Sequence, residues 1–277
     1  MSDRLRQLIC RDEVLYIMEA HNALSAKIAV ESGFEALWAS GLTISATMGL
    51  RDRNEASWTQ VLDVVEMITD FVPQPVLFDG DTGFGDANNV SRLVRKLCQR
   101  NVQGVCIEDK LFPKQNSFLG NAQPLLAVED FCEKIKRGKD AQTDDDFVLV
   151  ARVEALIAGH GLGEALDRAF RYHESGADAI LIHSKKSDGE EILQFLDRWR
   201  NRCPVIIVPT KYHATPTKLF VERDVAAIIW ANHSLRASIS AMRSITDQIC
   251  RGRSVTEIET RIASLEQLFQ LTNESSA

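Results

Sequence analysis

Glu31-Ser32-Gly33-Phe34-Glu35-Ala36-Leu37-Trp38-Ala39-Ser40 and Glu174-Ser175-Gly176-Ala177-Asp178-Ala179-Ile180-Leu181-Ile182-His183-Ser184 follow one pattern: a helix end, a turn residue, a short apolar run, then polar groups. Looser copies are Arg100-Asn101-Val102-Gln103-Gly104-Val105-Cys106-Ile107-Glu108 and Arg223-Asp224-Val225-Ala226-Ala227-Ile228-Ile229-Trp230-Ala231-Asn232. Gly, Asn or Asp at the turn suits the left-handed backbone that closes a helix and lets the chain enter a strand.

Outward from these repeats, further apolar runs lie at 14–18, 76–78, 147–153 and 205–208. They are short, β-branched and not alternating, as expected of strands covered on both faces. Helical segments are expected near 22–32, 58–70, 87–100, 128–137, 162–175, 189–199, 216–222 and 233–250. Eight strands alternating with eight helices in 277 residues predict a closed (β/α)8 TIM barrel, a fold that takes about 250 residues. An open doubly wound sheet is the alternative; the absence of a glycine-rich dinucleotide loop after the first strand weakens it. No linker or low-complexity segment divides the chain, so residues 1–277 read as a single barrel domain. The segment 255–271 reads as one more amphipathic helix, with Ile258, Ile262, Leu265, Leu268 and Leu271 on a shared face. Such a C-terminal extension suits packing on a partner subunit. The connections 41–57 and 109–127 are too long for ordinary barrel loops and read as lids or binding loops.

Composition narrows the function. Hydrophobic residues make up 45% and charged residues 26% of the chain, enough for a large core without disulfides. The net charge of −7 and the lack of any Lys/Arg block argue against nucleic acid or an anionic membrane as partner. No apolar run approaches the roughly 20 residues that span a bilayer, and the first thirteen residues have no apolar core of a leader peptide. Cys10, Cys98, Cys106, Cys132, Cys203 and Cys250 form no CxxC pair and read as reduced, buried thiols. A cytoplasmic location is expected.

In a barrel, catalytic groups come from the C-terminal strand ends and the loops beyond them. Asp79 and Asp81 are two residues apart, so an extended chain points both the same way. Alone they also read as a polar turn with Gly83. With Glu108 from the adjacent strand, the carboxylates without soft ligands suit Mg²⁺, with Mn²⁺ as a substitute. Arg152 follows a strongly apolar strand; its planar fork suits phosphate or carboxylate, and an ion pair with Glu154 is the alternative. His183 reads equally as catalytic or as a structural hydrogen-bonding histidine. Gly41 permits close approach, so the Ser40-Gly41-Leu42 amides could hold an oxyanion or carboxylate.

Together these residues resemble the phosphoenolpyruvate mutase/isocitrate lyase superfamily, and within it the mutase branch, over nearly the whole chain from Met18 to Leu271. The resemblance rests on Met18-Glu19-Ala20-His21-Asn22, Trp38-Ala39-Ser40-Gly41-Leu42, Asp52-Arg53-Asn54-Glu55-Ala56-Ser57, Asp79-Gly80-Asp81-Thr82-Gly83-Phe84-Gly85, Glu108-Asp109-Lys110-Leu111-Phe112-Pro113-Lys114-Gln115-Asn116-Ser117, Arg152-Val153-Glu154-Ala155 and His183-Ser184-Lys185-Lys186. It implies Mg²⁺-dependent interconversion of phosphoenolpyruvate and phosphonopyruvate, the step that makes a carbon–phosphorus bond. It also implies a homotetrameric dimer of dimers that exchanges the eighth barrel helix. By the same resemblance, Asp79 binds Mg²⁺ directly, and Asp81 and Glu108 act largely through water. Trp38, Ser40, Gly41, Leu42 and Ser184 contribute to binding substrate, the Ser40–Leu42 segment holding its pyruvate part. Arg152 and His183 face the transferring phosphoryl group, and Asp52, Lys114 and Asn116 lie on loops that close over it.

Lyases of the superfamily carry Lys-Lys-Cys-Gly-His on this loop; the reading Lys110-Leu111-Phe112-Pro113-Lys114-Gln115-Asn116-Ser117 speaks against carbon–carbon lyase chemistry. Phosphonopyruvate hydrolase is very similar but tends to have Thr where this chain has Asn116, and it stays open as the alternative. A non-catalytic barrel serving as a binding subunit would be expected to lose Asp79, Arg152 or a loop residue, and none is lost.

Overall fold

The computed structural model describes residues 4–114 and 124–272. Eight parallel strands close in chain order into a barrel: β1 (Leu15–Ala20), β2 (Ala36–Ala39), β3 (Val76–Asp79), β4 (Gly104–Glu108), β5 (Val148–Val153), β6 (Ala179–Ile182), β7 (Val205–Ile207) and β8 (Ala227–Trp230), with β8 pairing back to β1. The helices of this unit are α1 (Leu5–Cys10), α2 (Ala23–Glu31), α3 (Gly41–Thr47), α4 (Trp58–Phe71), α5 (Ala87–Cys98), α6 (Val128–Ala141), α7 (Ala155–Ala158), α8 (Gly161–Glu174), α9 (Glu190–Trp199) and α10 (Thr217–Val221). The expected closed barrel is therefore present, and the open sheet is excluded.

The chain divides into two compact units, Met1–Ala231 and Asn232–Ala277. The second holds α11 (His233–Gly252), a 3-10 turn at Glu259–Arg261 and α12 (Leu265–Leu271). The tail expected to be one helix over 255–271 is thus broken. Ile262 is extended, and Ser264 starts a new helix by accepting from the Gln267 amide while Gln267 reaches back to the Ser264 amide. A capping box of this kind overrides the apolar periodicity that runs through it.

The repeat that decides the fold does what its chemistry requires. Gly33, Asn101, Gly176 and Asp224 all adopt positive φ (96°, 57°, 107° and 58°), and each precedes the entry into β2, β4, β6 or β8. The strands then separate their side chains by the two-residue period. Leu15, Ile17, Ala36, Trp38, Leu77, Cys106, Val148, Val150, Ala179, Leu181, Ile206, Ala227 and Ile229 fill the lumen. Their alternates, such as Leu37, Phe78, Val105, Ile107, Leu149, Ala151, Ile180 and Ile207, pack outward on the helices. Burial on both faces is why the strands read as unbroken apolar runs.

The short helix α1 was not foreseen. Its Leu5, Leu8 and Ile9 join the lumen cluster, so the first turns of the chain plug one end of the barrel. The thiols only partly match expectation: Cys106, Cys132 and Cys203 are buried, whereas Cys10 and Cys250 are exposed. Among the described residues no helix is long and apolar enough to cross a membrane.

A Cβ added at Gly33 would touch nothing within 4 Å, so substitution there carries only the conformational cost of a left-handed L-residue, about 1 kcal/mol. Gly33→Ala is expected to lower the unfolding free energy by that amount and Gly33→Asn by less. Urea titrations of the variants measure both.

Candidate active site

Continuing the inward-facing series of each strand by one step leads out of the apolar lumen and into charge. Leu15 and Ile17 lead to Glu19, Leu77 to Asp79, Cys106 to Glu108, Val148 and Val150 to Arg152, and Ala179 and Leu181 to His183. The functional side chains thus stand at the C-terminal mouth, on rigid strand ends, with Trp38 buried in the lumen cluster beneath.

Asp79, Asp81 and Glu108 are buried. The Gly41 amide donates to Asp79 Oδ2 at 3.1 Å. A Cβ at position 41 would stand 3.1 Å from Asp81 Oδ1 and 3.4 Å from Asp79 Oδ2, so glycine is what lets α3 approach both carboxylates. The neighbouring Ser40 amide is engaged elsewhere, donating to the Ala20 carbonyl at 3.3 Å. Asp81 sits at φ 50°, and its carbonyl accepts from the Glu108 amide at 2.7 Å, which ties the ends of β3 and β4 together.

Cations balance these acids. Lys114 Nζ pairs with Asp52 Oδ1 at 2.6 Å and with Asp81 Oδ1. Arg152 Nε lies 2.5 Å from Glu154 Oε1 and 3.4 Å from Glu108 Oε2. Lys110 Nζ lies 3.2 Å from Glu154 Oε2 and 3.8 Å from Glu108 Oε1. Burial pushes the Asp81 carboxyl up to about 7, with Lys114 opposing and Asp79 adding to the rise. Burial likewise raises Glu108, against Arg152 and Lys110. Glu154 goes the other way: despite its burial, Arg152 and His183 hold its carboxyl well below the usual range.

Burial first, and then the Arg152 charge, push His183 down, so its ring is neutral near pH 7. Its Nδ1 is 2.8 Å from both Arg152 Nη2 and Glu154 Oε1. Arg152 can only donate, which requires a bare Nδ1 and a proton on Nε2; contact with Glu154 favours the other tautomer.

The predicted residues Asp52, Lys114, Asp79, Asp81, Gly41, Glu108, Arg152 and His183 are therefore linked in one cluster. Of the two readings of Arg152, the ion pair with Glu154 is present, and it forms within the mouth. Ser184 stands apart. Its hydroxyl donates to Glu191 Oε2 at 2.8 Å and accepts from the Lys186 amide at 3.2 Å, which commits its one proton to the β6–α9 connection. Asn116 lies outside the described residues.

The sequence reading quoted Asn54 within the Asp52–Ser57 motif but gave it no role; in the structure it joins the two long loops. Its Nδ2 donates to Asp81 Oδ2 at 2.7 Å and its Oδ1 accepts from the Lys114 amide at 2.7 Å. The only local signal is an Asn between charged residues, suited to the φ of 57° it adopts. A second dyad, Glu19 with His21 Nδ1 at 2.8 Å, stands at the end of β1.

Hard oxygen donors dominate this mouth. Asp81 Oδ1 meets the Lys114 ammonium, whereas Glu108 Oε1 lies 3.8 Å from that of Lys110 without a hydrogen bond to it; a buried carboxylate oxygen so weakly compensated is costly, and a further cation relieves it. The residues present therefore fit a hard divalent cation. Among the described residues no three His, Cys, Asp or Glu side chains converge to ligate one ion directly, so waters would have to complete its shell.

A parallel barrel with an acidic, cation-balanced mouth and two long loops converging on it defines a (β/α)8-barrel enzyme. Residues 5–250 match the family model described as phosphoenolpyruvate phosphomutase, and the chain belongs to that family. A phosphoenolpyruvate phosphomutase of Tetrahymena pyriformis is 52% identical over 272 residues, covering 98% of this chain and 91% of the relative. The crystal structure of phosphoenolpyruvate phosphomutase from Streptomyces platensis subsp. rosaceus superposes with a TM-score of 0.95 at 42% identity, over 97% of this chain and 94% of that one. A phosphonopyruvate hydrolase in complex with oxalate and Mg²⁺ superposes with a TM-score of 0.92 at 36% identity, over 98% of this chain and 94% of that one.

Asn54→Gly keeps the left-handed backbone and removes only the bridge between the loops. It leaves Asp81 Oδ2 and the Lys114 amide short of a partner and is expected to lower stability by about 1–3 kcal/mol. Thermal and urea unfolding against the parent protein check this.

Proposed function

We propose that this chain interconverts phosphoenolpyruvate and 3-phosphonopyruvate by intramolecular phosphoryl transfer. The observation that carries the reading is the pairing, in one buried mouth, of an acidic cluster centred on Asp79 with the Arg152–His183 contact. Relatives named for this activity share about half of the sequence over nearly the full chain.

In the reaction the bond from phosphorus to the enol oxygen breaks and a bond from phosphorus to the methylene carbon of the same molecule forms. No proton or electron is gained or lost, so the site needs charge stabilisation and positioning more than a base. A divalent cation, Mg²⁺ or in its place Mn²⁺, would be held by Asp79 directly and by Asp81 and Glu108 through water, and supplies positive charge to the enolate oxygen. The Leu42 amide at the start of α3, the Ser40 hydroxyl and the wall formed by Trp38 orient the pyruvate part, and Gly41 gives the close approach while its own amide holds Asp79. The Arg152 guanidinium faces the phosphoryl oxygens, its fork matched to them and its charge fixed by Glu154 and Glu108. The neutral His183 ring adds an Nε2–H donor in the tautomer that contact with Arg152 favours. Asp52, Lys114 and Asn116 carry the loops over the site and exclude water, which would otherwise capture the phosphoryl group. Ser184 serves the same site only indirectly, by shaping the connection after β6.

The same reading makes the enzyme a cytoplasmic homo-oligomer, a dimer of dimers joined by exchanged C-terminal helices. Support comes from α11, an amphipathic helix without a buried residue, and from Tyr16, Leu24 and Ile28, which are exposed on β1 and α2. Sedimentation equilibrium is expected to give a tetramer, and a monomer would contradict this arrangement.

Phosphorus NMR of the purified protein with phosphonopyruvate and Mg²⁺ tests the activity. Phosphoenolpyruvate is the expected product; free phosphate alone would make the protein a hydrolase, and no turnover would make it a binding barrel. Asp79→Ala is expected to abolish turnover. Asn116→Thr is expected to shift product toward pyruvate and phosphate, and an unchanged product ratio would remove Asn116 from the shielding role.

A further inference from the structure

Behind the mouth lies a buried polar network that none of the chemistry above uses. Asp109 is fully buried at the end of β4. Its Oδ2 accepts from the Tyr172 hydroxyl at 2.8 Å and from Arg168 Nη1 at 3.1 Å, both donors on α8. Arg168 Nη1 also donates to the Tyr172 hydroxyl at 2.9 Å and to the Leu126 carbonyl at 3.0 Å. Glu164 holds the other side of the guanidinium, accepting from Nε at 2.7 Å.

Asp109 is a junction. Its Oδ1 accepts from the Glu154 amide at 2.9 Å, its amide donates to the Arg152 carbonyl at 3.2 Å, and its carbonyl accepts from the Leu126 amide at 2.9 Å. Lys110 and Leu125 bridge just beyond it. One carboxylate therefore fixes both described ends of the long β4–α6 connection, together with the backbone that carries Arg152 and Glu154. Glu154 in turn contacts Arg152, His183 and Lys110.

We propose that Tyr172 and Arg168 are positioning residues: acting through Asp109, they hold the ends of the 110–126 connection in register with Glu154, so that Arg152, His183 and Lys114 face the substrate together. Two donors on one carboxylate oxygen suit this task. Asp109 must stay in a single orientation to serve the Glu154 amide with its other oxygen, and a buried carboxylate with unmatched donors would rotate or draw in water. Tyr172 meets Asp109, Arg168 and Phe131 rather than the residues assigned to substrate or metal, so its influence on turnover would pass through Asp109. The proposal rests on the phosphoryl-transfer reading for its kinetic consequence, though not for its mechanical one.

The test is Tyr172→Phe, which removes one donor and keeps the ring packed edge-on against Phe131. Ala169→Gly on the same buried face serves as the control, loosening α8 without touching the network. Hydrogen exchange in the full-length protein reads the mechanical part. The Glu154 and Leu126 amides are expected to exchange about tenfold faster in Tyr172→Phe than in Ala169→Gly; equal protection in both would overturn the proposal whatever the protein catalyses. Phosphorus NMR with phosphonopyruvate and Mg²⁺ reads the functional part. In Tyr172→Phe kcat is expected to fall about tenfold at unchanged KM, with a larger share of free phosphate. A kcat and product ratio equal to those of Ala169→Gly, in a parent protein that turns over, would also overturn it. A parent protein that does not turn over overturns the phosphoryl-transfer reading instead, and the exchange rates still decide the network.

Discussion

Charge balance in a water-poor place is the constraint from which the rest of this structure follows. Asp79, Asp81, Glu108 and Glu154 are buried at one end of a barrel, where an isolated carboxylate is untenable. Lys110, Lys114 and Arg152 stand among them within ion-pairing distance. Removing one member of such a set leaves an uncompensated buried charge, typically costing about 3–5 kcal/mol. The arrangement also explains its uneven protonation: Glu154, between Arg152 and His183, is held ionised, while Asp81 and Glu108 are poorly enough compensated that burial raises them.

Rigid and adjustable parts of the site come from different structural sources. Asp79, Glu108, Arg152 and His183 extend the lumen-facing series of β3, β4, β5 and β6, and their spacing is that of the barrel itself. Asp52, Asn54 and Lys114 come from the two long loops, which meet through the Asn54 bridge and the Asp52–Lys114 pair. Groups that stabilise developing charge gain from a fixed frame, and groups that exclude water must move to admit substrate.

Much of this was legible in the sequence because it is local. The left-handed positions at Gly33, Asn101, Gly176 and Asp224 announce strand entries, and apolar runs of β-branched residues announce strands buried on both faces. Chemistry at strand ends then follows from the barrel. What was not legible depends on contacts distant in the chain. Leu5, Leu8 and Ile9 read as part of a polar N-terminal stretch, and only their place in one buried cluster with Leu15, Leu77 and Val148 shows them to be core. Asn54 is one polar loop residue among several until Asp81 and Lys114 arrive beside it. Ser184 looks equivalent to its neighbour His183, and only Glu191 on α9 shows that its hydroxyl is engaged elsewhere. The tail was misread for a local reason: the capping box at Ser264 competes with an apolar period that continues across it.

If charge balance governs this mouth, a divalent cation entering it displaces the proton that burial keeps on its raised carboxyls. Isothermal titration of Mg²⁺ into the protein, in buffers of different ionisation enthalpy, counts the protons released on binding. With Asp81 raised to about 7, protonated below that pH and ionised above it, roughly half a proton should leave per ion bound at pH 7. The release should grow at pH 6 and vanish by about pH 8.5. A release that is zero at pH 7, or independent of pH across this range, would contradict the claim.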